Sequence, residues 1–196
     1  MVFKIFKFLT MKISKNKSNA AFTLLEMMVV IGIVVLISAL SFASYKEGQN
    51  QYALQLSAQK LAADLRRAQN MALSTVVTNG GQISGGGYGI YFDKSQEKKL
   101  AYILFADNDP TSPQVYSSSD TPIEKIELKK GVEISTISLD GNNADSSYII
   151  FTPPDPKITI GTGNSTELRI KVSLTKDLSR SKTVTINKFG KIDIID

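Results

Sequence analysis

Glu26 is the only charged side chain between Lys17 and Lys46. It stands four residues after Phe22, in an apolar run that reads Phe22-Thr23-Leu24-Leu25-Glu26-Met27-Met28-Val29 and continues uncharged to Tyr45. A carboxylate near one end of a lipid-length helix is costly unless it faces a cation, so its presence is a functional hypothesis by default. A second group of oxygen ligands is Asp107-Asn108-Asp109, followed by Asp120 and Glu124, which could collect calcium. Thr111 stands where a further ligand is expected, no glycine follows, and Pro110 and Pro113 flank the segment, so a plain turn-rich loop competes with the metal. Residues 167–196 carry seven bases against four acids. In that stretch a hairpin over Thr175–Lys182, with Lys176, Arg180 and Lys182, could hold DNA phosphates. The competing role of such charge is to guard an exposed strand edge.

Catalysis finds little to work with. The chain has no His and no Cys, which removes the commonest metal and nucleophile chemistries and any disulfide. Asp64 beside Arg66, or Asp155 near Lys157, could be drawn as acid–base pairs. Neither comes with a nucleophile, a metal cluster or a cofactor loop. The glycine-rich stretch 79–89 lacks Gly-Lys-Ser/Thr and precedes no helix, so it is no phosphate loop. The expectation is a protein that is not an enzyme and needs no cofactor, with calcium as the alternative.

The elements that must position these groups begin with one helix. Met27 to Tyr45 are 19 uncharged residues, roughly 28 Å of helix and about one hydrocarbon core. Farther on, Leu54, Ala58, Leu61, Leu65, Ala68 and Ala72 recur at steps of four and three, a single stripe that should dock on a sheet. No proline interrupts 22–76, so the pattern predicts one helix of about 54 residues, roughly 80 Å long, with Gly48 as a weak point. Beyond it the pattern is β: Tyr88–Phe92, Leu100–Phe105, Ile123–Leu128, Val132–Leu139, Tyr148–Phe151, Lys157–Ile160, Leu168–Leu174, Thr183–Asn187 and Lys191–Ile194. Alternation is clean in Leu168–Leu174, and Asn187-Lys188-Phe189-Gly190 reads as a tight hairpin turn. The fold class is therefore α+β, a long N-terminal helix packed on an antiparallel β-sheet.

The charge excess of +5 lies wholly in Lys4, Lys7, Lys12, Lys15 and Lys17. From Phe22 onward the chain is neutral, with 18 basic and 18 acidic residues. The basicity thus orients a membrane segment, holding its lysine-flanked end in the cytoplasm, and marks no basic binding face. A plain anchor would explain the apolar length but leave Glu26 without a purpose. A secretory signal cut at Ala43–Ser44 fits the layout but has an overlong apolar core.

The lysine leader, Phe22, Glu26 and the uninterrupted helix together resemble the prepilin signal of type IV pilins and type II secretion pseudopilins. That resemblance implies cleavage between Ala21 and Phe22 by a prepilin peptidase and methylation of the new amine. It makes Glu26, the fifth mature residue, the assembly group that faces a neighbouring subunit's N-terminus. Ala21 departs from the usual Gly before the cut, and Met11 offers a second start with a shorter leader. Leu61–Ala72, Tyr88–Phe92, Phe151-Thr152-Pro153-Pro154 and the closing strand–Gly190–strand are similar to the GspH/FimT group of minor pseudopilins. The implied parts are a leader at 1–21, a transmembrane and assembly half-helix at 22–45, an amphipathic half at 46–76 and a β-rich pilin domain at 77–196. The implied setting is the cytoplasmic (inner) membrane, crossed once, with the β domain outside. The implied partners are other pilin or pseudopilin subunits, the peptidase, the inner-membrane assembly platform and the lipid bilayer. A membrane-anchored extracytoplasmic binding domain, including one that holds DNA in uptake, is the alternative.

Overall fold

The computed structural model describes residues 22–74, 85–96, 98–109, 114–153, 157–161 and 163–195, and for residues 40–44 the backbone alone. The chain divides into two compact units, Met1–Ser44 and Tyr45–Asp196. Helix α1 spans Leu24–Leu73, ending short of the expected residue 76; residues 75 and 76 lie outside the described residues. In the first unit every described side chain from Phe22 to Ala39 is exposed. Among the described residues no helix is long and apolar enough to cross a membrane, with the side chains of 40–44 standing outside that description.

In the second unit the β region forms two five-stranded antiparallel sheets in place of a single one. The first has the order β3-β2-β1-β6-β7, from β1 (Gly87–Asp93), β2 (Ala101–Asp107), β3 (Thr121–Glu127), β6 (Ser146–Thr152) and β7 (Lys157–Ile160). The second has the order β10-β9-β8-β4-β5, from β4 (Val132–Leu139), β5 (Asn142–Ala144), β8 (Glu167–Leu174), β9 (Asp177–Asn187) and β10 (Ile192–Ile195). Strand β5 was not expected. Its signal is Asp140-Gly141, both at positive φ (49° and 87°), which joins Leu139 to Asn142 in a two-residue hairpin.

The helical stripe docks as its spacing demands. Leu54, Ala58, Leu61, Leu65, Ala68 and Ala72 are all buried in the core. They meet Tyr88, Ile90 and Phe92 of β1, Tyr102 and Leu104 of β2, and the inward rows of the second sheet, Ile134 and Ile137 of β4 and Leu168, Ile170 and Val172 of β8. Each large side chain so buried contributes about 1.5–3 kcal/mol of apolar transfer. Alternation in β8 holds from Leu168 to Val172, with Arg169 exposed between buried Leu168 and Ile170, and ends at Ser173, which is buried as well.

Two expectations for loops are corrected. The glycine-rich link does not run to residue 89, because Gly87 and Gly89 belong to β1. A Cβ on Gly89 would stand 2.7 Å from the Phe105 ring and 2.5 Å from the Ile149 carbonyl oxygen, so glycine lets the strand lie under an aromatic ring. The hairpin read over Thr175–Lys182 is a turn at Thr175–Lys176 followed by strand, since β9 starts at Asp177 and pairs Ser181 with Ser173 and Lys182 with Val172. The final turn is as expected. Gly190 has φ 80°, and the Asn187 side-chain oxygen accepts the amides of Phe189 and Lys191 at 3.0 and 3.1 Å.

Candidate functional site

The chemistry at the head of α1 is built by four consecutive residue types and one spacing. The Thr23 carbonyl accepts the Met27 amide at 3.1 Å, the first helical bond. The Thr23 hydroxyl oxygen accepts the Glu26 amide at 3.2 Å. Thr23 is thus the N-cap and Glu26 occupies the third helical position, the Thr-x-x-Glu pattern of a capping box. A carboxylate there also suits the positive end of the helix dipole. The sequence carried this signal and the expectation overlooked it. Glu26 is exposed, and among the described residues no group pairs with its carboxylate. Phe22, Leu24 and Leu25 are 67%, 78% and 74% exposed, so the helix starts with bare apolar surface around a single negative charge. Ala21, the other half of the expected cleavage site, lies outside the described residues.

The three expected calcium ligands are interior, and each accepts a hydrogen bond from Gln114 or Ser117. Asp107, Asp109 and Asp120 are all buried. Asp107 accepts the Gln114 amide at 2.6 Å, Asp120 accepts the Ser117 amide at 2.7 Å, and Asp109 accepts the Ser117 hydroxyl at 3.1 Å. Among the described residues no group of three carboxylate, His or Cys side chains is placed to hold a metal. Burial, with the charges of Asp120 and Asp109 adding to it, pushes the Asp107 carboxyl above its usual range, against the hydrogen bonds from Gln114 and Asp109. The loop packs by ring contact as well, with Tyr116 stacked on Tyr91 at 4.0 Å and edge-on to Phe105 at 4.7 Å.

The three residues expected to hold DNA differ in their surroundings. Lys176 is exposed in the turn. Arg180 forms ion pairs with Glu47 of α1 and, at 3.4 Å, with Asp177, and Lys182 is half-buried beside it on β9. Pairing with Glu47 holds the Arg180 guanidinium above its ordinary pKa. The acid–base pair drawn at Asp64 and Arg66 is also separated. Asp64 is buried and accepts the Tyr102 hydroxyl at 2.6 Å, with Lys60 at 3.5 Å, while Arg66 turns to the Ile192 carbonyl at 3.5 Å. Burial, and then Asp64 itself, push the Tyr102 pKa far above its usual value, so this phenol stays a donor and pins α1 to β2. Asp155 lies outside the described residues. A shallow recess along the last turns of α1, lined by Ala63, Arg66, Arg67, Asn70, Met71 and Ser74, offers no proton carrier for general acid–base work.

A bare apolar helix start with one carboxylate, leading into antiparallel sheets, is the layout that the resemblance to pilin-like subunits of type II secretion and type IV pili implies. Consistent with it, residues 16–42 match the prokaryotic N-terminal methylation motif. Residues 57–190 match the model of type II transport protein GspH, and the chain belongs to that family. The family is one of structural subunits. Among solved structures, the type IV minor pilin FimU of Pseudomonas aeruginosa is similar at 14% identity over 79% of this chain and 92% of that chain, with a TM-score of 0.45. No curated protein matches the chain.

Proposed function

We propose that the chain is a minor pseudopilin or pilin made as a precursor, cut between Ala21 and Phe22 by a prepilin peptidase and methylated on the new amine. Its apolar half-helix over 22–45 rests in the cytoplasmic membrane with the β domain outside. An inner-membrane assembly platform then moves that helix into a filament, where Glu26 faces the N-terminal amine of a neighbouring subunit. The observation that carries the reading is the head of α1, apolar and exposed throughout its described length, with a single carboxylate that has no partner among the described residues. Exposed apolar helix needs lipid or other helices, and a buried carboxylate needs a cation; a neighbouring subunit's amine supplies one. The role is mechanical, and no residue is assigned to catalysis.

The test is to express the chain with a prepilin peptidase and read the N-terminus and intact mass of the membrane fraction. The expected result is a new N-terminus at Phe22 carrying the mass of one methyl group. A retained leader, or a cut near Ala43, refutes the reading. Glu26→Leu separates the competing role of an anchored binding domain, including one for DNA. It abolishes incorporation into filaments if the chain is a subunit and changes nothing if the chain only anchors.

A further inference from the structure

We infer that Thr23 is the positioning residue for the assembly carboxylate, a role that rests on the filament reading above. The first amides of any helix have no carbonyl partner within it. In an apolar bundle or in lipid, an amide left unmet is far more costly than in water. Thr23 makes the first helical bond with its carbonyl, to the Met27 amide, and answers one of the unmet amides, that of Glu26, with its hydroxyl. The second bond holds the backbone of Glu26 itself, so the hydroxyl three residues earlier steadies the base from which the carboxylate leaves the helix. The carboxylate is not consumed in doing so and remains available to a partner.

The arrangement also coincides with the cleavage boundary. Phe22 and Met27 stand at the two positions of a hydrophobic staple, one before the cap and one at the fourth helical residue. All four residues of this start signal, Phe22, Thr23, Glu26 and Met27, lie after the expected cut. Removal of the leader therefore leaves the cap whole, with the new amine one residue before it.

The side-chain requirement separates a cap from a packing role. Ser and Asn carry an oxygen acceptor and cap well, whereas Val keeps the branched shape of Thr without the acceptor. The experiment compares Thr23→Val, Thr23→Ser and Thr23→Asn in the full-length chain, co-expressed with the peptidase and the assembly machinery. Two readouts are taken: amide exchange at Glu26 in detergent micelles, and the fraction of Phe22-terminated molecules that sediment as filaments. In Thr23→Val we expect exchange about fivefold faster and incorporation about fivefold lower, with the Ser and Asn variants within about twofold of the parent. Unchanged exchange in Thr23→Val overturns the cap. Fast exchange with normal incorporation overturns the positioning role, as does failure of both Ser and Asn to restore incorporation. Glu26→Leu is run alongside. Normal incorporation of that variant refutes the filament reading, and the positioning role with it, while the exchange data still judge the cap on their own.

Discussion

Tyr102→Phe removes one oxygen from the centre of the helix–sheet contact and leaves the ring in place. The lost hydroxyl is buried on β2 and donates to Asp64 at 2.6 Å. Asp64 is itself only 7% exposed, so water cannot replace the donor. The remaining neighbour, Lys60, stands at 3.5 Å with a half-exposed side chain and compensates little. A buried hydrogen bond to a charged group is worth about 1.5–3 kcal/mol, which sets the expected loss at about 2 kcal/mol. For a unit the size of Tyr45–Asp196 this lowers the melting temperature by about 4–8 °C. The ring still packs on Phe92, 5.9 Å away centre to centre, so no cavity adds to the cost. The pH dependence carries a second signature. Because the folded-state pKa of Tyr102 is raised, its contribution is full below the unfolded value near 10 and fades as pH rises above it. The parent protein therefore loses stability above about pH 10, and part of that loss is absent in Tyr102→Phe. Circular dichroism melts of the full chain in detergent, from neutral pH to pH 11, provide the assay. A shift below about 1 °C at neutral pH would show that the bond does not pin α1 to the sheet.

Four further perturbations test the other sites. Glu26→Gln keeps a side chain that serves a capping box but removes the charge, so filament incorporation should fall as far as in Glu26→Leu; parental incorporation would reduce Glu26 to a helix cap. Asp107→Asn mimics the protonated form that burial favours. A raised carboxyl pKa gives stability that is present at low pH and lost as pH rises through the folded value, so the variant should melt higher than the parent at pH 7–8 and converge with it near pH 4. Calcium should leave either protein's melt within about 1 °C; a rise of several degrees would place the ion at Asp107, Asp109 and Asp120. The triple change Lys176→Ala, Arg180→Ala, Lys182→Ala should leave duplex retention in a gel-shift assay as it was, because Arg180 is already occupied by Glu47 and Asp177. A salt-sensitive loss of retention would support the DNA reading.

Much of the architecture was legible because its causes are local. A helix stripe needs only side chains three and four residues apart, and all six residues of the Leu54–Ala72 stripe are buried. A strand needs only alternation, and Val132–Leu139 and Lys157–Ile160 fall where the pattern puts them. The capping box at Thr23 and Glu26 and the turn at Asp140-Gly141 were equally local, and equally present in the sequence, though neither was expected. Strand β9 was read short because Asp177–Lys182 is polar. It becomes strand through pairing with β8, which burial patterning does not announce.

By itself the sequence determined the helix, its apolar head, the lone carboxylate and the β character of the rest. Charge, spacing and propensity act within a few residues and need no fold to express them. The tertiary structure alone decided the partners. Asp64 takes Tyr102, 38 residues away, instead of Arg66. Arg180 takes Glu47, 133 residues away, and ceases to be a free base. The three loop aspartates go inside, each with its own donor, and the β region divides into two sheets. Such choices depend on which distant surfaces chain packing brings together, and many pairings satisfy the same local pattern until the core selects one.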